Sequence, residues 1–204
     1  MNVIDFLEER GIVEDTTSDD LKKFLQKPRK IYLGIDPTAD SLHLGHLAGV
    51  MMLAFFQNFG HTPVCVVGGA TAMIGDPSGK DKERPLLDLE TLNKNQIGIT
   101  NTLKQLLDFE HPQATPLIVN NYDWFKDFRF IDFLREVGKN FRVSTMLAKE
   151  SVKNRLKSEE GMSFTELTYQ ILQGYDFYHL YKNNEVSVQA GGSDQWGNIT
   201  AGTE

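Results

Sequence analysis

The sequence predicts an α/β fold built on a parallel sheet, and three observations carry that prediction. KIYLGID (30–36) and TPVCVVGG (62–69) each carry a continuous apolar run, as strands covered on both faces do. LGHLAGVMMLAFFQNFG (44–60) between them has the length and apolar content of a buried helix ending at Gly60. Strand, helix, strand is a βαβ unit, and the alternation continues along the chain.

Taken in order, the first 29 residues read as two short amphipathic helices, VIDFLEER (3–10) and SDDLKKFLQ (18–26), the second opened by Ser18 as N-cap and closed by Pro28. They are expected to serve as packing elements. The first strand runs into the turn residues DPTADS (36–41) and then the buried helix. After the second strand, GGATAMIGDPSGKDKER (68–84) is a long loop of Gly, Pro and small polar residues. Loops at the carboxyl ends of parallel strands are where ligands bind in open α/β sheets. LETLNKNQIGITNTLKQLLDF (89–109) reads as a helix and PLIVNN (116–121) as a third strand. FRFIDFLREVGKNF (128–141), AKESVKNRLKSEEG (148–161) and SFTELTYQILQGYDFYHLYKN (163–183) read as three more helices. EVSVQAGG (185–192) makes a fourth strand, leading into a polar loop, SDQWGN (193–198).

Composition narrows the function classes. With 204 residues, 40% hydrophobic and 24% charged, the chain has material for one main domain with its own core, and none of the bias of a disordered or collagen-like chain. Cys65 is its single cysteine, which excludes an intrachain disulfide and a Cys-rich zinc site. The longest apolar run, 47–56, falls short of the roughly 20 residues a membrane helix needs, and MNVIDFLEER carries acids where a signal peptide carries bases. A soluble cytoplasmic protein without a membrane partner is expected. A net charge of -7 disfavours nonspecific adhesion to nucleic acid but does not speak against a local basic patch.

Several residues can carry chemistry. In HLGH, His43 and His46 sit where a strand-to-helix turn meets a helix N-terminus; imidazoles there can donate to phosphate alongside backbone N–H groups, and Gly45 lets a flat ring approach. A plain helix start with two surface histidines matches the same four residues. Asp36 and Thr38, at the preceding strand end, can face the same ligand. The loop GGATAMIGDPSGK is not a P-loop, because Ile74 and Asp81 stand where a Gly and a Ser or Thr belong. Asp76 there can bind an amine or close an Asx-turn. Tyr169, Gln173 and Asp176 fall at i, i+4 and i+7, one face of a helix; Tyr, Gln and Asp flanked by Leu and Phe are an unusual choice for a solvated face. Asp194 and Gln195 lie at another strand end. Lys149, Lys153, Arg155 and Lys157 form a basic stretch that either touches nucleic acid or is a solvated helix face. His61 and Cys65 share no ligand spacing with HLGH, so no protein-bound metal is expected. The sequon at Asn198 carries no meaning in a cytosolic protein.

Six blocks in order, YLGIDPTADSLHLGH, GGATAMIGDPSGK, NNYDW, MLAKES, SFTELTYQILQGYDF and GGSDQWGNITAG, resemble the bacterial tyrosyl-tRNA synthetases, class I aminoacyl-tRNA synthetases, from about Tyr32 to the last residue. HLGH resembles the His-Ile-Gly-His signature of class I, with Leu for Ile. The resemblance implies a Rossmann-like parallel sheet with flanking helices over 30–204, a helical connective insertion at about 121–165, and the 1–29 helices packed on it. It implies activation of L-tyrosine with ATP to tyrosyl-adenylate and transfer to tRNA(Tyr), Mg²⁺ travelling with ATP, in a homodimer. Tyr32 and Asp176 match the positions that meet the phenol hydroxyl, and Asp76, Tyr169 and Gln173 those that hold the ammonium. Asp36, Gln189 and Gln195 match positions lining tyrosine and its carboxylate, while Gly191, Gly192 and Asp194 resemble the adenosine and ribose contacts. Thr38, His43 and His46, with Gly45 between them and Asp36 beside them, correspond to the ATP-handling residues. Lys80 and Arg84 correspond to basic groups that meet the departing pyrophosphate.

Leu33 departs from a Cys that touches the ribose in some members, and Gly49 replaces a variable Thr; both soften ATP binding without abolishing it. The family's Lys-Met-Ser-Lys-Ser loop, anticodon-binding helical domain and C-terminal RNA-binding module do not occur in the sequence. AGTE looks like a cut inside a continuing element, so a poorly active catalytic-domain fragment is expected. Two rival readings are a tyrosine-binding or dimerisation module without catalysis, and a small-metabolite adenylyltransferase with an HxGH turn.

Overall fold

Four strands, β1 (Lys30–Ile35), β2 (Thr62–Val67), β3 (Leu117–Asn120) and β4 (Val186–Ala190), pair in parallel in the order β3-β2-β1-β4. The coordinates are a computed structural model that describes residues 2–78, 87–159 and 161–203. Around the sheet lie α1 (Val3–Glu8), α2 (Leu21–Phe24), α3 (Leu44–Asn58), α4 (Thr71–Ile74), α5 (Leu89–Leu106), α6 (Tyr122–Phe125), α7 (Phe130–Glu136), α8 (Val143–Ala148), α9 (Glu150–Leu156), α10 (Phe164–Asn184) and α11 (Trp196–Ala201). This is the Rossmann-like arrangement the sequence predicts: the strands are all parallel, so their carboxyl ends open on one side.

Alternation along β1 divides the core. Ile31, Leu33 and Ile35 pack with Cys65 and Val67 of β2, with Val50, Leu53 and Phe56 of α3, with Ile99 and Leu103 of α5, and with Val3, Ile4 and Leu7 of α1. Tyr32 faces the other way, with Val64, Val66, Leu180 of α10 and Val186. Each fully buried Leu, Ile or Val contributes roughly 1.5–3 kcal/mol. Burial also pushes the Cys65 thiol up to about 12, leaving it a packing group.

The helix that matters most for the site is α10. Its start is a capping box: the Glu166 N–H donates to Ser163 Oγ at 3.2 Å and the Ser163 N–H to Glu166 Oε2 at 3.2 Å. Its end is Glu185, in the left-handed region at φ 59°.

Several elements differ from the sequence reading. SDDLKKFLQ contracts to α2, because Ser18 Oγ accepts from the Asp20 N–H and closes a turn before the helix, while Pro28 biases its predecessor away from helix. The predicted helix at 128–141 stops at Glu136 and becomes a 3₁₀ turn, Gly138–Asn140. Gly138 disfavours continuation, and Asn140 Nδ2 occupies the Glu136 carbonyl at 3.0 Å. The helix expected at 148–161 begins at Glu150, since Lys149 is extended, and α8 precedes it. The SDQWGN loop is a 3₁₀ turn, Ser193–Gln195, running into α11, whose partner is α10: a Cβ at Gly174 would lie 3.1 Å from the Ala201 carbonyl oxygen.

Candidate active site

At the carboxyl ends of β1, β2 and β4 lies a cleft of about 1060 Å³. Its lining includes Tyr32, Leu33, Asp36, Thr38, His43, Gly45, His46, Gly49, Asp76, Tyr169, Gln173, Asp176, Gln189, Gly191, Gly192, Asp194 and Gln195. Sequence-predicted site residues from the ends of β1, β2 and β4 and from α10 are thus brought together. Lys80 and Arg84 lie outside the described residues.

Why these side chains converge follows from the elements. β1 places Tyr32 inward and delivers Asp36 just past its last residue. Helical spacing then stacks Tyr169, Gln173 and Asp176 along the α10 face that covers the sheet, and all three are buried, Asp176 only 2% exposed. A solvated face is ruled out.

A run of buried and half-buried hydrogen bonds ties the Asp36 and Asp176 carboxyl groups together. Tyr169 Oη donates to Asp36 Oδ2 at 2.9 Å, and Thr71 Oγ1 donates to Asp36 Oδ1 at 2.6 Å. Asn121 Nδ2 donates both to Thr71 Oγ1 at 3.0 Å and to Asp176 Oδ2 at 3.1 Å. Trp124 Nε1 completes it, donating to Asp176 Oδ1 at 2.8 Å. Burial pushes the Asp176 carboxyl up to about 8, against the pull of the Asn121 and Trp124 donors and with a further push from the charge of Asp36. The Tyr32 and Tyr169 hydroxyls are held well above their ordinary value, by burial first and by the neighbouring carboxylates second, so both stay neutral.

Thr71, Asn121 and Trp124 were missed as site residues. Asn121, fully buried straight after β3, also fixes the Ala70 N–H through its Oδ1 at 2.7 Å. A polar residue at a parallel strand's carboxyl end is the signal that could have found it.

Asp76 makes the Asx-turn of its second reading and also lines the cleft. Its Oδ1 accepts from the Ser78 N–H at 2.9 Å, an Asx-turn, while Oδ2 accepts from Gln195 Nε2 at 2.7 Å inside the cleft. Asn198 Nδ2 reaches Asp76 Oδ1 at 3.3 Å and Gln195 Oε1 at 3.0 Å. Its amide is buried among these partners, which makes Asn198 a fourth missed residue and no acceptor for a surface modification.

At the other end of the cleft, His43 caps α3. Its Nδ1 accepts from the Gly45 N–H at 3.1 Å, His46 Nδ1 accepts from the His43 N–H at 3.3 Å, and the two rings stack at 3.8 Å. The N-terminus of a 15-residue helix here favours anions. Among the described residues, no group of three or more His, Cys, Asp or Glu is placed to hold a metal.

The basic stretch does not survive as a unit. Arg155 is 3% exposed and spends its guanidinium on Glu166, Nε to Oε1 at 3.1 Å and Nη2 to Oε2 at 3.3 Å. Lys153 and Lys157 remain exposed, and Lys149 Nζ donates to Thr200 Oγ1 at 2.7 Å beside a second hollow of about 470 Å³ that Asp194 and Trp196 also line.

The sequence profile of the family described as tRNA synthetases class I (W and Y) matches residues 23–204. The chain is 63% identical over 203 residues to a tyrosine–tRNA ligase of Protochlamydia amoebophila (strain UWE25), covering all of this chain and 48% of that protein. To a tyrosine–tRNA ligase of Flavobacterium johnsoniae it is 56% identical over 205 residues, again covering all of this chain and 48% of the other. A crystal structure of a C-terminally truncated mitochondrial tyrosyl-tRNA synthetase of Aspergillus nidulans superposes with a TM-score of 0.88 at 34% identity, over 98% of this chain and 59% of that one. The chain spans about half the length of the curated relatives it matches.

Proposed function

Because the chain belongs to the class I tRNA synthetases of the W and Y type, we propose that it is the amino-acid-activating part of an enzyme that joins L-tyrosine to ATP and passes the tyrosyl group to tRNA(Tyr) in the cytoplasm. One observation carries the choice of tyrosine. Asp176 is a buried carboxyl group whose two oxygens each accept from one fixed donor, Trp124 and Asn121, with acceptor capacity left for a third, beside the buried hydroxyl of Tyr32. A phenol hydroxyl at that depth completes the set, and the names of the relatives agree. The Tyr169, Gln173 and Asp176 face, buried as it is, favours this over a small-metabolite adenylyltransferase.

In this reading the ammonium rests against Asp76, Tyr169 and Gln173, and Asp36, Gln189 and Gln195 line the carboxylate. Gly191, Gly192 and Asp194 take the adenosine and ribose. ATP enters with Mg²⁺ bound to its phosphates. A tyrosine carboxylate oxygen attacks the α-phosphorus, the bond to the bridging oxygen breaks, and pyrophosphate leaves with that electron pair. No protein nucleophile is needed; catalysis is positioning plus donors aimed at growing charge, a role for Thr38, His43 and His46. Lys80 and Arg84 are assigned to the pyrophosphate on sequence alone.

The test pairs calorimetric titration of the chain with tyrosine against tyrosine-dependent exchange of pyrophosphate into ATP. Saturable tyrosine binding with weak exchange is expected. A chain that takes no tyrosine, or takes phenylalanine equally well, would sink the reading.

A homodimer is proposed as well. The 121–165 segment is rich in aromatics, and most of them find partners. Phe125, Phe128 and Phe133 pack on one another and on Tyr175, and Trp124 stacks on His179 at 4.5 Å. What supports assembly is the remainder: Phe130 and Phe164 are 65% and 68% exposed, with Ile131, Leu134, Val143 and Leu147 also open. Phe164→Asp should weaken self-association about a hundredfold or more, since a charge would have to be buried unpaired. Sedimentation velocity reads this, and unchanged association would remove Phe164 from any interface.

A further inference from the structure

We infer that Asn95 and Gly98 of α5 are positioning residues for the nucleotide end of the cleft: they hold the 37–41 turn, from which Thr38 and the His43–His46 pair hang. Asn95 is 6% exposed, and its Nδ2 donates to the Pro37 carbonyl at 2.9 Å in a buried bond. Gly98 lies three residues on, hence on the same helix face. A Cβ there would sit 1.8 Å from the Asp40 carbonyl oxygen and 2.8 Å from its carbon. Those are backbone atoms, so no rotamer relieves the contact and the turn itself must move. α5 can act as a fixed reference because Leu92, Ile99 and Leu103 on it are 3% exposed or less.

The other end of the cleft is supported differently. Asp36 is held by Thr71 and Tyr169, and Asp176 by Asn121 and Trp124, none of them on α5. α5 touches that end through Gln96, whose Oε1 accepts from Asn120 Nδ2 at 3.0 Å, but Asn95 and Gly98 contact only the 37–41 turn, so changing those two residues should act first on the nucleotide end.

The inference rests on the reading above for the identity of the nucleotide, not for the placement of the turn. The experiment compares the wild-type chain with Gly98→Ala and with the gentler Asn95→Ala, which removes the bond without a clash. Three quantities are measured: tyrosine affinity, affinity for the non-hydrolysable α,β-methylene ATP, and the ¹⁵N ring signals of His43 and His46. Gly98→Ala should weaken the nucleotide about tenfold to a hundredfold and Asn95→Ala by a smaller factor, as misplacement by an ångström does. Tyrosine affinity should stay within about twofold of wild type, the scatter expected between independent sites. The ring signals should move in both variants. Parallel losses for tyrosine and nucleotide, or ring signals that stay put, would overturn the inference. If the wild type binds tyrosine and no nucleotide while the ring signals still move in the variants, the ATP reading fails and the support of the turn by α5 stands.

Discussion

Asp176→Asn should narrow the preference for tyrosine over phenylalanine and flatten the pH dependence of stability. The carboxyl group receives Trp124 Nε1 on one oxygen and Asn121 Nδ2 on the other. An amide at 176 must turn its NH₂ toward one of these donors. Asn121 cannot flip in response without giving up the Ala70 N–H and Thr71 Oγ1. The acceptor for a phenol proton is thereby lost or displaced, at about 1–3 kcal/mol, so tyrosine affinity should fall roughly five- to 150-fold while phenylalanine, which uses no acceptor there, loses less. Calorimetry with both amino acids decides it; an unchanged ratio would remove Asp176 from specificity. The pH arm follows from the same group. Its carboxyl is raised to about 8 from an ordinary 3.8, so between those values the folded chain holds a proton that the unfolded chain has released. Stability from this group is therefore full below about pH 4 and is lost as pH rises toward 8, by at most about 1.4 kcal/mol per pH unit. Urea titrations across pH 5–8 should show that slope in the wild type and not in Asp176→Asn.

The parts of this network differ in how readable they were. β1 and β2 could be taken straight from the chain, because strands covered on both faces are written as continuous apolar runs. The Tyr169, Gln173 and Asp176 face was visible because one helix carries it. Thr71, Asn121 and Trp124 were not, since they meet Asp36 and Asp176 across 35 to 55 residues of chain and no local spacing encodes such a meeting. α11 was hidden for a related reason: six residues without apolar periodicity form a helix only against α10.

Arg155 is the plainest case of a residue misread from its neighbours in sequence. Lys153 and Lys157 flank it, and its true partner is Glu166, the capping residue of another helix. Both side chains are 3% exposed or less, and Arg155 Nη1 adds a bond to Ser158 Oγ at 2.6 Å. Arg155→Ala should destabilise the fold by about 3–5 kcal/mol, because it strands a buried carboxylate. Replacing both partners, Arg155→Met with Glu166→Leu, should recover most of that loss. Chemical denaturation measures both. A loss under about 1 kcal/mol for the single variant, the value of a surface pair, would contradict the burial.

The stacked histidines at the start of α3 have spent one nitrogen each on the backbone. Because each Nδ1 is an acceptor, each ring must carry its hydrogen on Nε2, and the helix start selects the tautomer before any ligand arrives. Both rings thus keep Nε2–H as the donor that a ligand would meet.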